Sequence, residues 1–538
     1  MKKFDKKSIF NLVIRVLFIL SSPFFTILLS NRYDSKIVLV GAIISFLISI
    51  FIDYKYLRNI QFDKKNILIS FFLSMYSLKY YLGFENNFVK MLNSIVEYYF
   101  GILFDNFIYK IIVLLSVPFF SVLIYLFIKK IIPIIKQFYY KLSKSERKYL
   151  IIIAFVGLFV SIVLPFLTTA FSIPIHNNNL YIYDVIYTSD SGAITYEDTF
   201  FNVSYVENDI RQPLFGIFSL PISIVGKLLA EILFFIPEKY GYASAMTFIQ
   251  FVLLSVSTIL ISRMLKLEEK DKKYLYLLFS ISFSYMIFSI ILEQYVIGLF
   301  YLILTCYYFY EKKLRPNYLY VGAVGTMLTS GIIFPLISEI KDLKKYIADT
   351  FKCFLAFLSV LTIGGQFPQI FSMLTNFNSL TSTFAKKIDF VDRVYQFINF
   401  AKGIIIAPKG KVMEILNHPS YQLAEVKSIA LFGVIVLIVV ILGYILNRKN
   451  KFANFCILWV IFSVILLLFI GWGTSENGLI LYSLYFAFAY LSLFYLFFRS
   501  IIKNDKVFKF LIILLCSAIL FCNVQELIKI LSFAVQNY

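Results

Sequence analysis

Residues 149–171 read YLIIIAFVGLFVSIVLPFLTTAF, an apolar run without a charged residue. A helix rises about 1.5 Å per residue, so a run of this length crosses the roughly 30 Å of hydrocarbon in a bilayer. Similar runs recur along the whole chain, and they do not alternate as the strands of a membrane barrel do. The sequence therefore predicts an α-helical protein that crosses the membrane many times.

The overall composition supports this fold class. The chain has 538 residues, of which 60% are hydrophobic and only 15% are charged, whereas soluble domains carry about 25% charged residues. The formal net charge of +20 comes from lysines and arginines in short loops between spans, as the positive-inside rule requires. Because the sequence shows no basic soluble module, we expect no nucleic-acid partner.

The apolar runs predict an all-α polytopic membrane protein with about 13 transmembrane helices, an interfacial helix and a broken re-entrant pair. The first run is long enough to span, so we expect a retained first helix and a cytoplasmic N-terminus. Lys227 and Glu231 within residues 213–236 favour an interfacial helix there. Three glycines and a proline interrupt residues 318–336, which predicts a pair that enters and returns. The predicted spans fall near residues 8–30, 36–52, 66–83, 110–130, 149–171, 242–264, 274–291, 293–310, 350–371, 428–446, 453–471, 478–499 and 508–532.

Spans and loops divide the chain into four parts. The loop at 129–148 is the most basic and is predicted to be cytoplasmic, which places the next loop on the outer face. The parts are an N-terminal four-helix membrane segment (1–148), a membrane module with an acidic outer loop at 172–213 (149–371), a second outer loop (372–427) and the C-terminal membrane helices (428–538).

The longest polar interval begins in the acidic loop, and residues 184–221 read DVIYTSDSGAITYEDTFFNVSYVENDIRQPLFGIFSLP. Carboxylates at the membrane edge are candidates for function, and an aspartate there can act as a general base toward a hydroxyl group. The alternative is that Arg211 pairs with Asp209 and the other acids are solvated. The acids are Asp184, Asp190, Glu197, Asp198, Glu207 and Asp209.

Other polar residues lie at the outer ends of apolar segments. Glu293 and Glu476 lie at helix turns, where an unpaired carboxylate would be costly to bury. The second outer loop is basic, and its cations could meet either an anionic substrate or anionic lipid. These cations are Arg393, Lys409 and Lys411, with Lys386 and Lys387 behind them. The five cysteines lie in apolar runs and, like the two histidines, lack metal-ligand spacing.

A basic cytoplasmic loop, a span, an acidic outer loop and the motif NDIRQPLF before an amphipathic helix together resemble the GT-C superfamily of multi-pass glycosyltransferases. The resemblance is to bacterial members that use a polyprenyl-phosphate sugar. The stretches ILEQYVIGLFYLIL, VGAVGTMLTSGIIFPL and GWGTSENGLILYSLYFAFAYL are similar to further parts of these proteins. The resemblance covers about residues 149–500 and does not extend to the first four spans.

The resemblance implies that an aspartate of the acidic loop is the catalytic base. Asp190 is the best match and Asp209 the alternative, while the doubled acidic motif of some members is not matched at Asp184. Some members bind a divalent cation through loop acids and others do not, so metal use stays open. The implied substrate-binding residues are Asn208, Arg211, Glu293, Arg393, Lys409, Lys411 and Glu476.

The expected function is therefore transfer of a sugar from a polyprenyl-phosphate donor to an envelope glycan or lipid acceptor. The reaction would take place with inversion on the outer face of a bacterial plasma membrane. A flippase or transporter of a lipid-linked saccharide is the main alternative, and it would place charged residues deep within spans. A polysaccharide polymerase is a third possibility, but it would be expected to depend on outer-loop arginines, which are few here.

Overall fold

The computed structural model describes residues 6–30, 34–78, 87–100, 107–171, 175–177, 180–182, 185–187, 211–236, 238–312, 317–332, 343–367, 385, 388–415, 418–424, 428–473 and 479–538. These described residues are 83% helical, in agreement with the predicted all-α class. Two short antiparallel hairpins, which the sequence did not predict, accompany the helices.

The chain forms two compact units. The first comprises Met1–Leu142, Glu197–Leu220 and Ile347–Thr375, and the second comprises Ser143–Tyr196, Pro221–Tyr346 and Asn376–Tyr538.

The first unit is a bundle in which α1 packs against both α2 and α5. Arg15 of α1 donates two hydrogen bonds of 2.6 Å to the carboxylate of Asp53, just after α2. Ser22 bonds Ser49 across the same pair of helices at 2.9 Å. The helices of this unit are α1 (Lys6–Leu29), α2 (Ser35–Ile52), α3 (Lys64–Leu78), α4 (Asn87–Phe100) and α5 (Phe107–Tyr140).

The second unit is built around helix Leu479–Ile501, whose first 18 residues, 479–496, are all buried and apolar on all sides. Two of the helices after α5, those that begin at Phe215 and at Leu343, start in one unit and continue in the other. The helices after α5 follow in chain order. They are α6 (Lys144–Leu167), α7 (Phe215–Ile232), α8 (Glu238–Met264), α9 (Glu269–Ile281), α10 (Phe283–Ile290), α11 (Gln294–Lys312), α12 (Asn317–Thr326), α13 (Leu343–Ile363), α14 (Phe390–Ile405), α15 (Leu431–Asn447), α16 (Lys451–Ser463), α17 (Leu479–Ile501) and α18 (Asp505–Asn537).

Both hairpins belong to the second unit. Strand β1 (Ile175–Asn177) pairs with β2 (Leu180–Ile182), and β3 (Gly410–Ile415) pairs with β4 (His418–Leu423).

Among the described residues, ten helices are long and apolar enough to cross a membrane. The pair α9–α10 would make an eleventh if its two helices form one span bent by 62°. The protein is therefore a multi-pass membrane protein, but the predicted count of about 13 spans is not confirmed. One reason is length, because α3 has 15 residues and α15 has 17.

Helix α7 covers the segment predicted to be interfacial. It is long and apolar enough to be a span, and it contacts the start of α8 between Gly241 and Met246. Ser223 bonds Tyr242 at 2.9 Å, Gly226 faces Met246, and Ala230 faces Gly241. These contacts do not distinguish a span from an interfacial helix, so the interfacial position of α7 stays a prediction.

A buried ionic network marks one end of the second unit. The Glu146 carboxylate at the start of α6 accepts hydrogen bonds from Arg263 at 2.6 and 3.0 Å and from Lys272 at 3.0 Å. Arg499 at the end of α17 bonds Asp271 and Asp505, each at 2.8 Å. These residues lie at the ends of α8 and α17 and at the starts of α6, α9 and α18. The network therefore fixes the direction in which each of these helices runs.

Candidate functional site

Helix α9 ends and α10 begins at Ser282, inside the second unit. Asn523 of α18 lies against this break and is fully buried. Its Nδ2 donates to the carbonyl groups of Ile281 at 2.7 Å and Ile405 at 2.9 Å, and its Oδ1 accepts from the Ala407 N–H at 2.8 Å. One side chain thus satisfies the backbone of two helix ends, which a break inside an apolar unit requires.

Glu293 follows α10 and is only 3% exposed. Gln250 of α8 shapes the turn that carries it: Nε2 donates to the carbonyl of Ile291 at 2.9 Å, and Oε1 accepts from the Glu293 N–H at 3.2 Å. Gln250 lies 14 residues before Met264 (264 − 250), so the turn is about 21 Å from the ionic network along α8. Glu293 is thus a buried carboxylate beside the middle of α8, and its position at an outer turn stays a prediction.

Aromatic side chains join this turn to the loop before α17. The rings of Tyr295 and Tyr482 lie 5.8 Å apart in an edge-on arrangement. Tyr482 in turn packs against Gly473, where a Cβ atom would lie 2.5 Å from the ring. Gly473 has a φ of +80°, a conformation that favours glycine. The residue is therefore required both by its backbone and by the tyrosine beside it.

Arg393, near the start of α14, lies against the same loop. Its Nη1 donates to the carbonyl of Phe469 at 3.0 Å, and its guanidinium lies over Gly471, where a Cβ atom would be 3.1 Å from Cζ. Its Nε is buried and has no acceptor among the residues that the structure describes. A guanidinium has five N–H donors and suits phosphate or carboxylate, so Arg393 retains capacity for an anionic ligand.

The hairpin β3–β4 is joined to the start of the acidic loop. Tyr421 of β4 forms a parallel bridge with Ile186. The Tyr187 N–H donates to the Tyr421 carbonyl at 2.9 Å, and the Tyr421 N–H donates to the Val185 carbonyl at 2.8 Å. The two outer loops inferred from the sequence are therefore held together by backbone hydrogen bonds.

Glu526 of α18 holds the hairpin from the other side. Its Oε1 accepts from the Tyr421 hydroxyl at 2.6 Å and from the Gly410 N–H at 2.8 Å, while its Oε2 accepts from Lys529 at 3.0 Å. Burial, together with the hydrogen bond to the Glu526 carboxylate and the charge of that group, raises the pKa of the Tyr421 hydroxyl. Tyr421 therefore remains a hydrogen-bond donor to Glu526 at neutral pH.

Lysines surround this carboxylate. Lys409 and Lys411 flank Gly410 and are exposed, whereas Lys402 on α14 is half-buried. Burial and then the positive charge of Lys409 lower the pKa of Lys402. Together with Lys529, these cations outnumber the carboxylates of Glu526 and of Glu414 on β3, so this part of the hairpin has a positive surface.

The structure brings together only some of the residues predicted for the site. Tyr295, two residues after Glu293, is joined through Tyr482 to Gly473, and Arg393 lies over Gly471 of the same loop. Lys409 and Lys411 lie at the start of the hairpin. Arg211 precedes α7 and belongs to the first unit. Asp190, Asn208, Asp209, Lys386, Lys387 and Glu476 lie outside the described residues.

The sequence analysis missed the polar residues that organise the site. Gln250, Asn523 and Glu526 are buried within α8 and α18, and all three lie inside predicted spans. A polar side chain inside an apolar run is the signal that singled out Glu293, and it would also have found these three.

The second unit thus combines a buried carboxylate beside the middle of α8, an arginine whose Nε has no acceptor among the described residues, and a lysine-rich hairpin. Within the described part of the chain, no group of three or more His, Cys, Asp or Glu could hold a metal ion. No protein-family model, no curated protein and no solved structure matches the chain.

Proposed function

We propose that the protein is a membrane glycosyltransferase of GT-C type that moves a sugar from a polyprenyl phosphate to an envelope glycan or lipid on the outer face of a bacterial plasma membrane. The observation that carries the proposal is the joining of the acidic loop to the basic hairpin through Tyr421. A transferase of this kind needs a base for the acceptor and cations for the donor phosphate at one place, and the joining of these two loops supports such an arrangement.

Asp190 follows Tyr187 by three residues in the chain and is the proposed base. It would take the proton of an acceptor hydroxyl as the hydroxyl oxygen attacks the anomeric carbon. The bond between that carbon and the phosphate oxygen breaks, and the phosphate leaves with the electron pair. Arg393, Lys409 and Lys411 would stabilise the negative charge on the phosphate.

The aromatic residues suit the uncharged part of such a substrate. The rings of Tyr295 and Tyr482 contact each other edge-on beside the Glu293 turn, and a buried carboxylate can accept hydrogen bonds from sugar hydroxyl groups. The amphipathic α7, with exposed Phe234 and Phe235 just after it, suits a helix at the membrane surface beside the entry of a lipid-linked donor.

A flippase of lipid-linked saccharides is the second candidate function. It is favoured by the position of Glu293 beside the middle of α8 and by the break between α9 and α10. Transporters bind substrate near the bilayer midplane at discontinuous helices. The two functions differ in product, since a flippase moves the lipid-linked sugar without breaking its bond to phosphate.

The test is transfer of radiolabelled sugar from several polyprenyl-phosphate donors in membranes that contain wild type, Asp190→Asn or Asp209→Asn. We expect wild type to form a labelled product and the variant lacking the base to lose at least about 100-fold, the lower range of general-base contributions. If wild type forms no product but moves labelled lipid-linked sugar across proteoliposomes, the flippase function replaces the proposal. Activity in both variants would exclude these aspartates as the base.

A further inference from the structure

Glu526 lies at the junction of three segments that are distant in sequence. It is on the last helix, its partner Tyr421 precedes it by 105 residues, and Gly410 precedes it by 116. Tyr421 in turn pairs with Val185 and Tyr187 by backbone hydrogen bonds. One buried carboxylate is therefore connected to both outer loops.

The packing around Tyr421 leaves little freedom in this junction. Its ring contacts Phe533 of α18 at 5.6 Å and Tyr187 at 5.7 Å between ring centroids. A Cβ atom on Gly410 would lie 2.1 Å from the Tyr421 ring, so glycine is needed for the strand to approach so closely. The ring fills the space between β3, the 185–187 segment and α18.

The end of α18 holds the rest of this region. The Tyr538 hydroxyl bonds the Pro419 carbonyl, and the Tyr538 carbonyl accepts from the Thr169 N–H at 3.2 Å. Thr168, at the end of α6, also donates to the Ala534 carbonyl at 3.0 Å. Helix α18 therefore anchors both the hairpin and the entry to the acidic loop.

We propose that Glu526 is a positioning residue, which fixes hairpin β3–β4 through Tyr421 and Gly410 and so keeps Lys409, Lys411 and residues 185–187 in one arrangement for substrate. This inference rests on the proposed function only for the nature of the substrate. The carboxylate itself is already occupied by three donors, so it acts through the hairpin and not on a reacting group.

The experiment uses the full-length protein in nanodiscs and compares Tyr421→Phe, Glu526→Ala and the double variant with wild type. Tyr421→Phe keeps the ring and removes only the hydroxyl group, so it tests the bond even if Glu526→Ala fails to fold. Lys509→Gln is the control, because Lys509 is an exposed lysine of the same helix, lies 17 residues before Glu526 and leaves the bonds to Tyr421 and Gly410 intact. The readouts are amide hydrogen exchange across 185–187 and 410–423 and the donor KM and kcat.

We expect amide exchange in both segments to rise about 10-fold or more in Tyr421→Phe, as for loss of a bond to a charged group. Amide exchange in the double variant should be close to that in the worse single variant and far below the product of the two single effects, because both changes remove the same contact. The donor KM should rise about 10-fold while kcat changes less, since the lysines lose their arrangement. Lys509→Gln should stay within about 2-fold of wild type.

The outcomes separate this inference from the proposed function. Unchanged exchange at 185–187 in Tyr421→Phe and Glu526→Ala would overturn the inference, whether or not sugar is transferred. Increased exchange in a protein whose wild type transfers no sugar would support the positioning by Glu526 and would overturn the proposed function. A loss of kcat alone, with unchanged KM, would also contradict the inference.

Discussion

Glu146 shows how much one buried charge contributes to this fold. Its side chain is 2% exposed and accepts hydrogen bonds from Arg263 and Lys272. Removing one partner from such a group leaves the opposite charges buried without compensation, which costs about 3–5 kcal/mol.

We therefore predict that Glu146→Gln lowers the free energy of unfolding by several times more than Glu268→Gln. Glu268 is 71% exposed and pairs with Lys270 at 3.2 Å, and such surface pairs contribute about 0–1 kcal/mol. Thermal unfolding of the purified protein in detergent measures both variants under one condition. Equal losses in the two variants would contradict the structural role of Glu146.

Single residues were predictable where a charge interrupts an apolar run, as for Glu293. The same signal at Glu526 was missed because Lys529 follows it by one turn, and such a pair resembles an exposed helix surface. Its burial depends on Tyr421, 105 residues earlier. The residue type can thus be read from the sequence, but its burial depends on tertiary packing.

At the scale of elements, Asn523 connects the bend of α9–α10 with the end of α14. It makes three hydrogen bonds to backbone groups of Ile281, Ile405 and Ala407. Without it, those buried groups lose their partner, at about 1–3 kcal/mol for each unsatisfied group.

We predict that Asn523→Ala destabilises the protein by more than about 3 kcal/mol, the sum of the lower bounds for its three bonds. Asn537→Ala, on the same helix, is the matched control, because Asn537 bonds only the carbonyl of Phe533 within its own helix. Denaturant unfolding in detergent gives both values. If Asn537→Ala is as costly as Asn523→Ala, the bend does not depend on Asn523.

The sequence predicted most helices but not the bend or the hairpin. Residues 274–291 were predicted as one span because the segment SISFS contains neither proline nor glycine, and the bend depends on Asn523, 242 residues away. Strands β3 and β4 lack a regular alternation of apolar and polar residues, and β4 contains Pro419. Their pairing is stabilised by Glu526. Because that residue is distant in sequence, the local pattern of the strands does not reveal its contribution.

At the scale of the whole molecule, the positive-inside rule predicts that the two ends of the second unit lie on opposite sides of the membrane. The ionic network and the turn after α15 would face the cytoplasm, and the hairpin would face outward. Glu414 on β3 and Lys449 after α15 are both exposed.

We predict that a membrane-impermeant thiol reagent labels Glu414→Cys in intact cells and labels Lys449→Cys only after permeabilisation. The background is Cys522→Ser, because Cys522 is the one exposed cysteine of five. The opposite labelling pattern would invert the topology and place the hairpin in the cytoplasm.

The most direct test of the proposed function is sugar transfer by two pairs of variants. Each pair has the same type of substitution, once inside the proposed site and once outside it. Arg393→Gln and Glu293→Gln change the site, whereas Arg448→Gln and Glu311→Gln change exposed residues at the C-terminal ends of α15 and α11. We expect the first two to lower kcat/KM about 10-fold or more, as for lost bonds to charged groups, and the controls to remain within about 2-fold. Equal activity in all four variants would contradict the proposed site.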